Sequence, residues 1–120
     1  SYYIYSLSYS PTGKYILSCS EDKAIRIWDS YTVRCIKELK GHRERVLSAY
    51  FSPDNELIVS ASDDRTIKIW NVRSGKCIDT FYLEDEDKPI CAVKWHPNGE
   101  ELLFIYEPSI YPEIWEYKRD

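Results

Sequence analysis

The stretch from Gly41 to Asn71 opens with Gly41-His42, passes through Phe51-Ser52-Pro53 and Ser60-Ala61-Ser62-Asp63-Asp64, and closes with Ile69-Trp70-Asn71. Within it, Val46 to Phe51, Leu57 to Ser62 and Thr66 to Asn71 are short runs rich in β-branched and aromatic residues. Turn-forming residues separate them at Ser52-Pro53-Asp54-Asn55 and at Asp63-Asp64-Arg65. A further run, Cys77 to Leu83, follows Arg73-Ser74-Gly75-Lys76. Four short strands joined by tight turns predict an antiparallel four-stranded meander.

The phrase recurs on both sides. Ser10-Pro11, Ser52-Pro53 and His96-Pro97 mark equivalent turns 42 and 44 residues apart, and Trp28-Asp29, Trp70-Asn71 and Trp115-Glu116 mark equivalent strand ends 42 and 45 residues apart. With its Gly-His opening and Trp-Asp-like close, this repeat resembles the WD repeat, the unit of a β-propeller blade. The resemblance covers all 120 residues, closely over 1–83 and loosely after that. It implies an all-β fold of four-stranded antiparallel blades forming a partial propeller. Residues 1–40 are read as blade one, 41–83 as blade two and 84–120 as an incomplete blade three, together one partial WD-repeat domain.

In blade one the expected strands are Ile4 to Ser10, Tyr15 to Ser20, Ala24 to Asp29 and Arg34 to Leu39, with no Gly-His before them. In blade three they are Ile90 to Trp95, Glu101 to Tyr106 and Pro112 to Tyr117. There Glu84-Asp85-Glu86-Asp87-Lys88-Pro89 replaces Gly-His, Ile105 is read at the place of Ser18 and Ser60, and Ser109 at that of Asp22 and Asp64. A blade covers its faces only against neighbours, and a blade without a fourth strand leaves an open edge. Further blades from a longer chain, or a second copy, are therefore expected.

Composition narrows the function classes. A net charge of -4 with no basic stripe argues against a phosphate-dominated nucleic-acid interface. No apolar run is long enough to span a membrane, and no signal segment is evident. Cys19, Cys35, Cys77 and Cys91 lack paired spacing and fall within expected strands, so they are read as buried thiols in a reducing, cytoplasmic or nuclear, compartment. His42 and His96 stand in unlike contexts and form no ligand cluster with them, so neither a metal nor a cofactor is expected.

The resemblance assigns a hydrogen-bonded tetrad of His, Ser, Asp and Trp. Blade two supplies His42, Ser60, Asp64 and Trp70; blade one supplies Ser18, Asp22 and Trp28 without the histidine; blade three retains only Trp115. Ser60, His42 and Asp64 could also be read as a hydrolase triad. No strained turn or oxyanion-hole donor pair accompanies Ser60, so the tetrad is read as structural and no catalytic residue is assigned.

By the same resemblance, three positions per blade point to the loop face where partners dock: Tyr3, Tyr5 and Glu21 in blade one, Arg45, Leu47 and Asp63 in blade two, and Pro89, Cys91 and Pro108 in blade three. The expected function is a non-enzymatic scaffold binding segments of other proteins there. Two alternatives accompany it. The blades could serve mainly as a structural segment of a larger propeller. Alternatively, Ile58 to Arg73 resembles the box by which some WD-repeat proteins dock to a cullin ubiquitin-ligase adaptor, with Ser60 to Ser62, Asp64, Trp70 and Arg73 in place and Asn71 where that box has Asp or Glu.

Overall fold

A computed structural model of the chain describes residues 3–83, 90–106 and 113–117, with the backbone alone over 90–92, 103–106 and 113–115. The first sheet contains β1 (Ile4–Tyr9), β2 (Tyr15–Ser20), β3 (Ala24–Asp29) and β4 (Cys35–Lys40). The second contains β5 (Val46–Phe51), β6 (Leu57–Ser62), β7 (Thr66–Asn71) and β8 (Cys77–Tyr82). The third holds β9 (Ile90–Trp95), β10 (Glu101–Tyr106) and β11 (Glu113–Glu116). Every neighbouring pair is antiparallel and follows chain order. These are the meanders of propeller blades, and among the described residues the sheets do not close into a ring.

Local chemistry explains the turns. After β1 and after β5, the Ser10 and Ser52 hydroxyls accept from the Tyr15 and Leu57 N–H groups at 3.1 and 3.0 Å. The left-handed position of this turn is filled by Gly13, Asn55 and Gly99 in the three sheets. Lys23 and Arg65 fill the left-handed position between second and third strands. Between third and fourth strands, blade two uses Gly75 at φ +72° while blade one places Val33 there at φ +56°. A β-branched residue is strained in that region, because its Cβ crowds the following carbonyl.

Strand alternation sends the two faces of blade two to different neighbours. Ile58, Trp70, Val46, Ala49 and Phe51 pack with Leu17, Cys19, Ile25, Ile27 and Leu39 of blade one. Leu57, Val59, Ala61, Ile67 and Ile69 pack with Val93, Trp95, Leu102 and Tyr117 of the third sheet. Polar contacts reinforce both seams. Lys37 Nζ donates to the Val72 carbonyl at 2.7 Å and to the Arg73 carbonyl, and the Val93 N–H donates to Ser48 Oγ at 3.3 Å. The far face of blade one has no such cover among the described residues. Ile4, Leu7 and Tyr9 are 56, 65 and 67% exposed, whereas Val46, Ala49 and Phe51, each 42 residues on, are buried.

Two sequence readings need correction. Cys19 is buried, but Cys35 and Cys77 are exposed. A bulge opposite Trp28 and Trp70 opens each outer strand and turns its first residue outward, so each thiol meets the carbonyl two residues on, Lys37 O at 3.5 Å and Asp79 O at 3.2 Å. The Cys91 side chain, Glu84 to Pro89, Pro108 and Ser109 lie outside what is described. The second correction concerns blade three. Leu102 pairs with Trp115 as Ile58 pairs with Trp70, so the register places Phe104, not Ile105, at the position of Ser60.

Val33→Gly is expected to raise unfolding stability by about 1 kcal/mol, as relief of the left-handed strain outweighs glycine's extra unfolded-state entropy. Gly75→Val should lower it. Urea titrations followed by tryptophan fluorescence measure both shifts.

Candidate functional site

Blade two contains a continuous polar chain through its interior. His42 Nδ1 lies 2.8 Å from Asp64 Oδ2, His42 Nε2 lies 2.7 Å from Ser60 Oγ, and Trp70 Nε1 donates to Ser60 Oγ at 2.8 Å. The ionised carboxylate can only accept, so the His42 proton sits on Nδ1. With the proton on Nδ1, Nε2 of the neutral ring is an acceptor, so the Ser60 hydroxyl donates to it while accepting from Trp70. Every donor then has an acceptor. Ser60 and the His42 side chain have no exposed surface, which leaves no face for a substrate to approach.

Asp64 is the hub of this chain. It also accepts from the Arg43 N–H at 2.9 Å, the Thr66 N–H at 2.9 Å and Thr66 Oγ1 at 2.5 Å. Burial pushes its carboxyl up, but the bonds from His42, Thr66 and Arg43 outweigh that and hold it well below the usual carboxylate range. Gly41 matters through space: a Cβ there would stand 3.2 Å from Cη2 of Trp70.

Blade one differs. Trp28 Nε1 donates to Ser18 Oγ at 2.9 Å, but Asp22 turns to Arg26, with which it forms an ion pair, and to the Ser20 hydroxyl. The bond from the Arg26 guanidinium lowers the Asp22 carboxyl to about 2. Sequence reasoning missed both Thr66 and Arg26. Thr66 is replaced by Ala24 in blade one, and Arg26 aligns with an unremarkable Lys68, so the repeat flags neither.

The loop-face residues fall into two linked groups. The Glu21 N–H donates to the Tyr3 carbonyl at 2.9 Å, and the Tyr3 N–H reaches Glu21 Oε2 at 3.4 Å. The equivalent pair in blade two repeats the backbone link, with the Asp63 N–H 3.2 Å from the Arg45 carbonyl, and adds an Arg45–Asp63 ion pair. Arg45 then crosses the seam. Its Nη1 donates to Tyr5 Oη at 3.0 Å, and its Cζ stands 5.4 Å from the centre of the Tyr5 ring. Bonds from Asp63 and then Tyr5 raise the Arg45 pKa further, so the guanidinium is a fixed positive charge. Tyr3 and Tyr5 are exposed and Leu47 is half-buried.

At the opposite end of the same strands, Asn71 Oδ1 accepts from the Ser74 N–H at 2.9 Å and Arg73 is exposed. Among the described residues no three His, Cys, Asp or Glu side chains converge as a metal site requires. No helix among them is long and apolar enough to cross a membrane.

The family model described as "WD domain, G-beta repeat" matches residues 1–29 and 33–71. The chain is 45% identical over 42 residues to the striatin homolog of Dictyostelium discoideum, a match covering 35% of this chain and 5% of that protein. It is 43% identical over 47 residues to nuclear distribution protein PAC1-2 of Uncinocarpus reesii, covering 38% and 10%. It is 40% identical over 46 residues to the general transcriptional corepressor TUP1 of Saccharomyces cerevisiae, covering 38% and 6%. The matched segment thus spans at most a tenth of these relatives.

The Asp64 carboxyl titrates lower when folded than the roughly 3.9 of an unfolded chain. Its contribution to stability is therefore fully present above about pH 4 and is lost as pH falls toward the folded value. Asp64→Asn should cost about 1–3 kcal/mol at neutral pH and flatten the decline of stability below pH 4. A smaller slope from Asp22 should persist down to about pH 2. Urea denaturation at a series of pH values measures both.

Proposed function

The chain belongs to the WD-repeat family, and on that premise we propose that it is a non-enzymatic scaffold that holds a short segment of a partner protein on the face formed by Tyr3, Tyr5, Glu21, Arg45, Leu47 and Asp63. The observation that carries this reading is the Arg45 bridge to Tyr5 across the seam and to Asp63 within its own blade. It holds exposed aromatic surface and a permanent charge in one arrangement before any partner arrives. Such preorganisation lowers the entropic cost of association, and tyrosine beside arginine is a common composition for an interface anchor.

The partners are other proteins or peptides; nucleic acid and membrane do not fit the charge and the paired polar groups of this face. The compartment is cytoplasmic or nuclear, in keeping with the exposed free thiols of Cys35 and Cys77. The relatives named above include a transcriptional corepressor and a nuclear distribution protein. A second reading, in which the blades chiefly pack within a larger propeller, is favoured by the uncovered Ile4, Leu7 and Tyr9.

Panning a phage-displayed random-peptide library against the full chain separates the two readings. Under the first, enriched peptides should lose tenfold or more in affinity, about 1.4 kcal/mol, with Tyr5→Ala or Arg45→Ala, while the urea midpoint changes little. Enriched peptides that bind both variants unchanged would overturn it. Loss of stability with no selective loss of binding would support the second.

A further inference from the structure

The repeat provides an internal comparison of its two complete outer strands. β4 and β8 occupy equivalent places 42 residues apart, and each is the outermost strand of its sheet, with a free edge among the described residues. Both open with Cys-Ile and then diverge. β4 continues Lys37, Glu38, Leu39, Lys40, whereas β8 continues Asp79, Thr80, Phe81, Tyr82. Charges at 37, 38 and 40 are the ordinary protection of a strand edge against pairing with another chain. β8 has lost two of the three, and its remaining charge, Asp79, accepts a hydrogen bond from the Tyr117 hydroxyl. Thr80 and Tyr82 stand in the places of Glu38 and Lys40, and Tyr82 is 76% exposed, beside an Ile78 as exposed as its equivalent Ile36 in β4.

We infer that the β8 edge is a docking edge for a second copy of this chain, joined by antiparallel β8–β8 pairing about a two-fold axis at Thr80. The choice of a second copy rests on self-complementarity. A two-fold antiparallel pair sets the central residue against itself and its neighbours against residues the same distance on the other side. Centred on Thr80, β8 sets Thr80 against Thr80, Asp79 against Phe81 and Ile78 against Tyr82. No like charges meet, and the hydroxyl and aromatic–aliphatic pairs are of the stabilising kind. The Thr80 side chain is already fixed, since Lys68 Nζ donates to its Oγ1 at 3.0 Å. β4 centred on its equivalent residue would set Glu38 against Glu38. The same geometry that admits a second β8 therefore repels a second β4. One six-residue edge is a small interface, so the association is weak and dependent on concentration.

Amide hydrogen exchange on the full chain at micromolar and near-millimolar concentration tests this, because its local readout separates the β8 edge from the uncovered face of β1. Exchange in 77–82 should slow by about threefold or more at the higher concentration while 35–40 is unchanged. Thr80→Lys should abolish that change and leave protection of β5 to β7 as it was. Tyr82→Lys, which installs at an exposed position the residue that blade one carries there, should do the same and guards against misfolding of the first variant. Exchange in 77–82 that ignores concentration would overturn the inference, and leave the edge to an extended segment of another protein if to anything. Equal slowing in 35–40, or slowing that survives both lysine variants, would also overturn it.

Discussion

The structure depends on one constraint: a four-stranded sheet with no helix beside it has two faces to cover, and only another sheet can cover them. Blade two meets it on both sides. The alternation Leu57, Val59, Ala61 against Ile58, Ser60, Ser62 sends one set to the third sheet and the other toward blade one, and all six are buried. Burying an aliphatic side chain of this size contributes roughly 1.5–3 kcal/mol, whereas ordering the backbone of a six-residue strand costs roughly 6–12 kcal/mol, so a strand needs several buried side chains, on both of its faces. Stability therefore belongs to the seams between blades and cannot be assigned to any single blade.

The polar chain inside blade two follows from the same constraint. Ser60 and Trp70 lie on the face toward blade one, where water is excluded, so their polar atoms need protein partners. His42 and Asp64 supply them, and in doing so tie the segment entering β5 to the turn between β6 and β7. Blade one solves a milder form of the problem. Its Trp28 is only half-buried, and Asp22 uses Arg26 to secure the equivalent turn. The two blades share a backbone while differing in which side chain locks it.

Much of this was legible in the chain because the repeat reports each element twice. Turn residues and β-branched runs recur in register, and seven of the eleven strands among the described residues run between the residues that the pattern indicates. The remaining four differ by one residue at their ends, where a bulge or a turn-closing bond decides the last pairing. What the pattern could not carry was set by contacts the repeat does not share. Cys35 and Cys77 look like core residues because they are small, apolar and periodic, yet a bulge turns them outward. Ile105 takes the place of Ser60 in the sequence reading because blade three changes its spacing before Trp115, and only the pairing of Leu102 with Trp115 shows that Phe104 holds it.

The loop face is the place where departure from the repeat carries meaning. Tyr3 and Arg45 are equivalent, as are Glu21 and Asp63, and the backbone link within each pair is common to both blades. The side chains are free to differ because they project beyond the sheets and bear no packing load. Arg45 uses that freedom to reach Tyr5 in the neighbouring blade, a contact that exists only because the seam between Val46 and Leu17, Cys19 and Ile25 holds the two sheets in fixed relation. Recognition on this face therefore inherits its geometry from the core beneath it: loosening the seam would separate Tyr5 from Arg45 even with every loop residue intact.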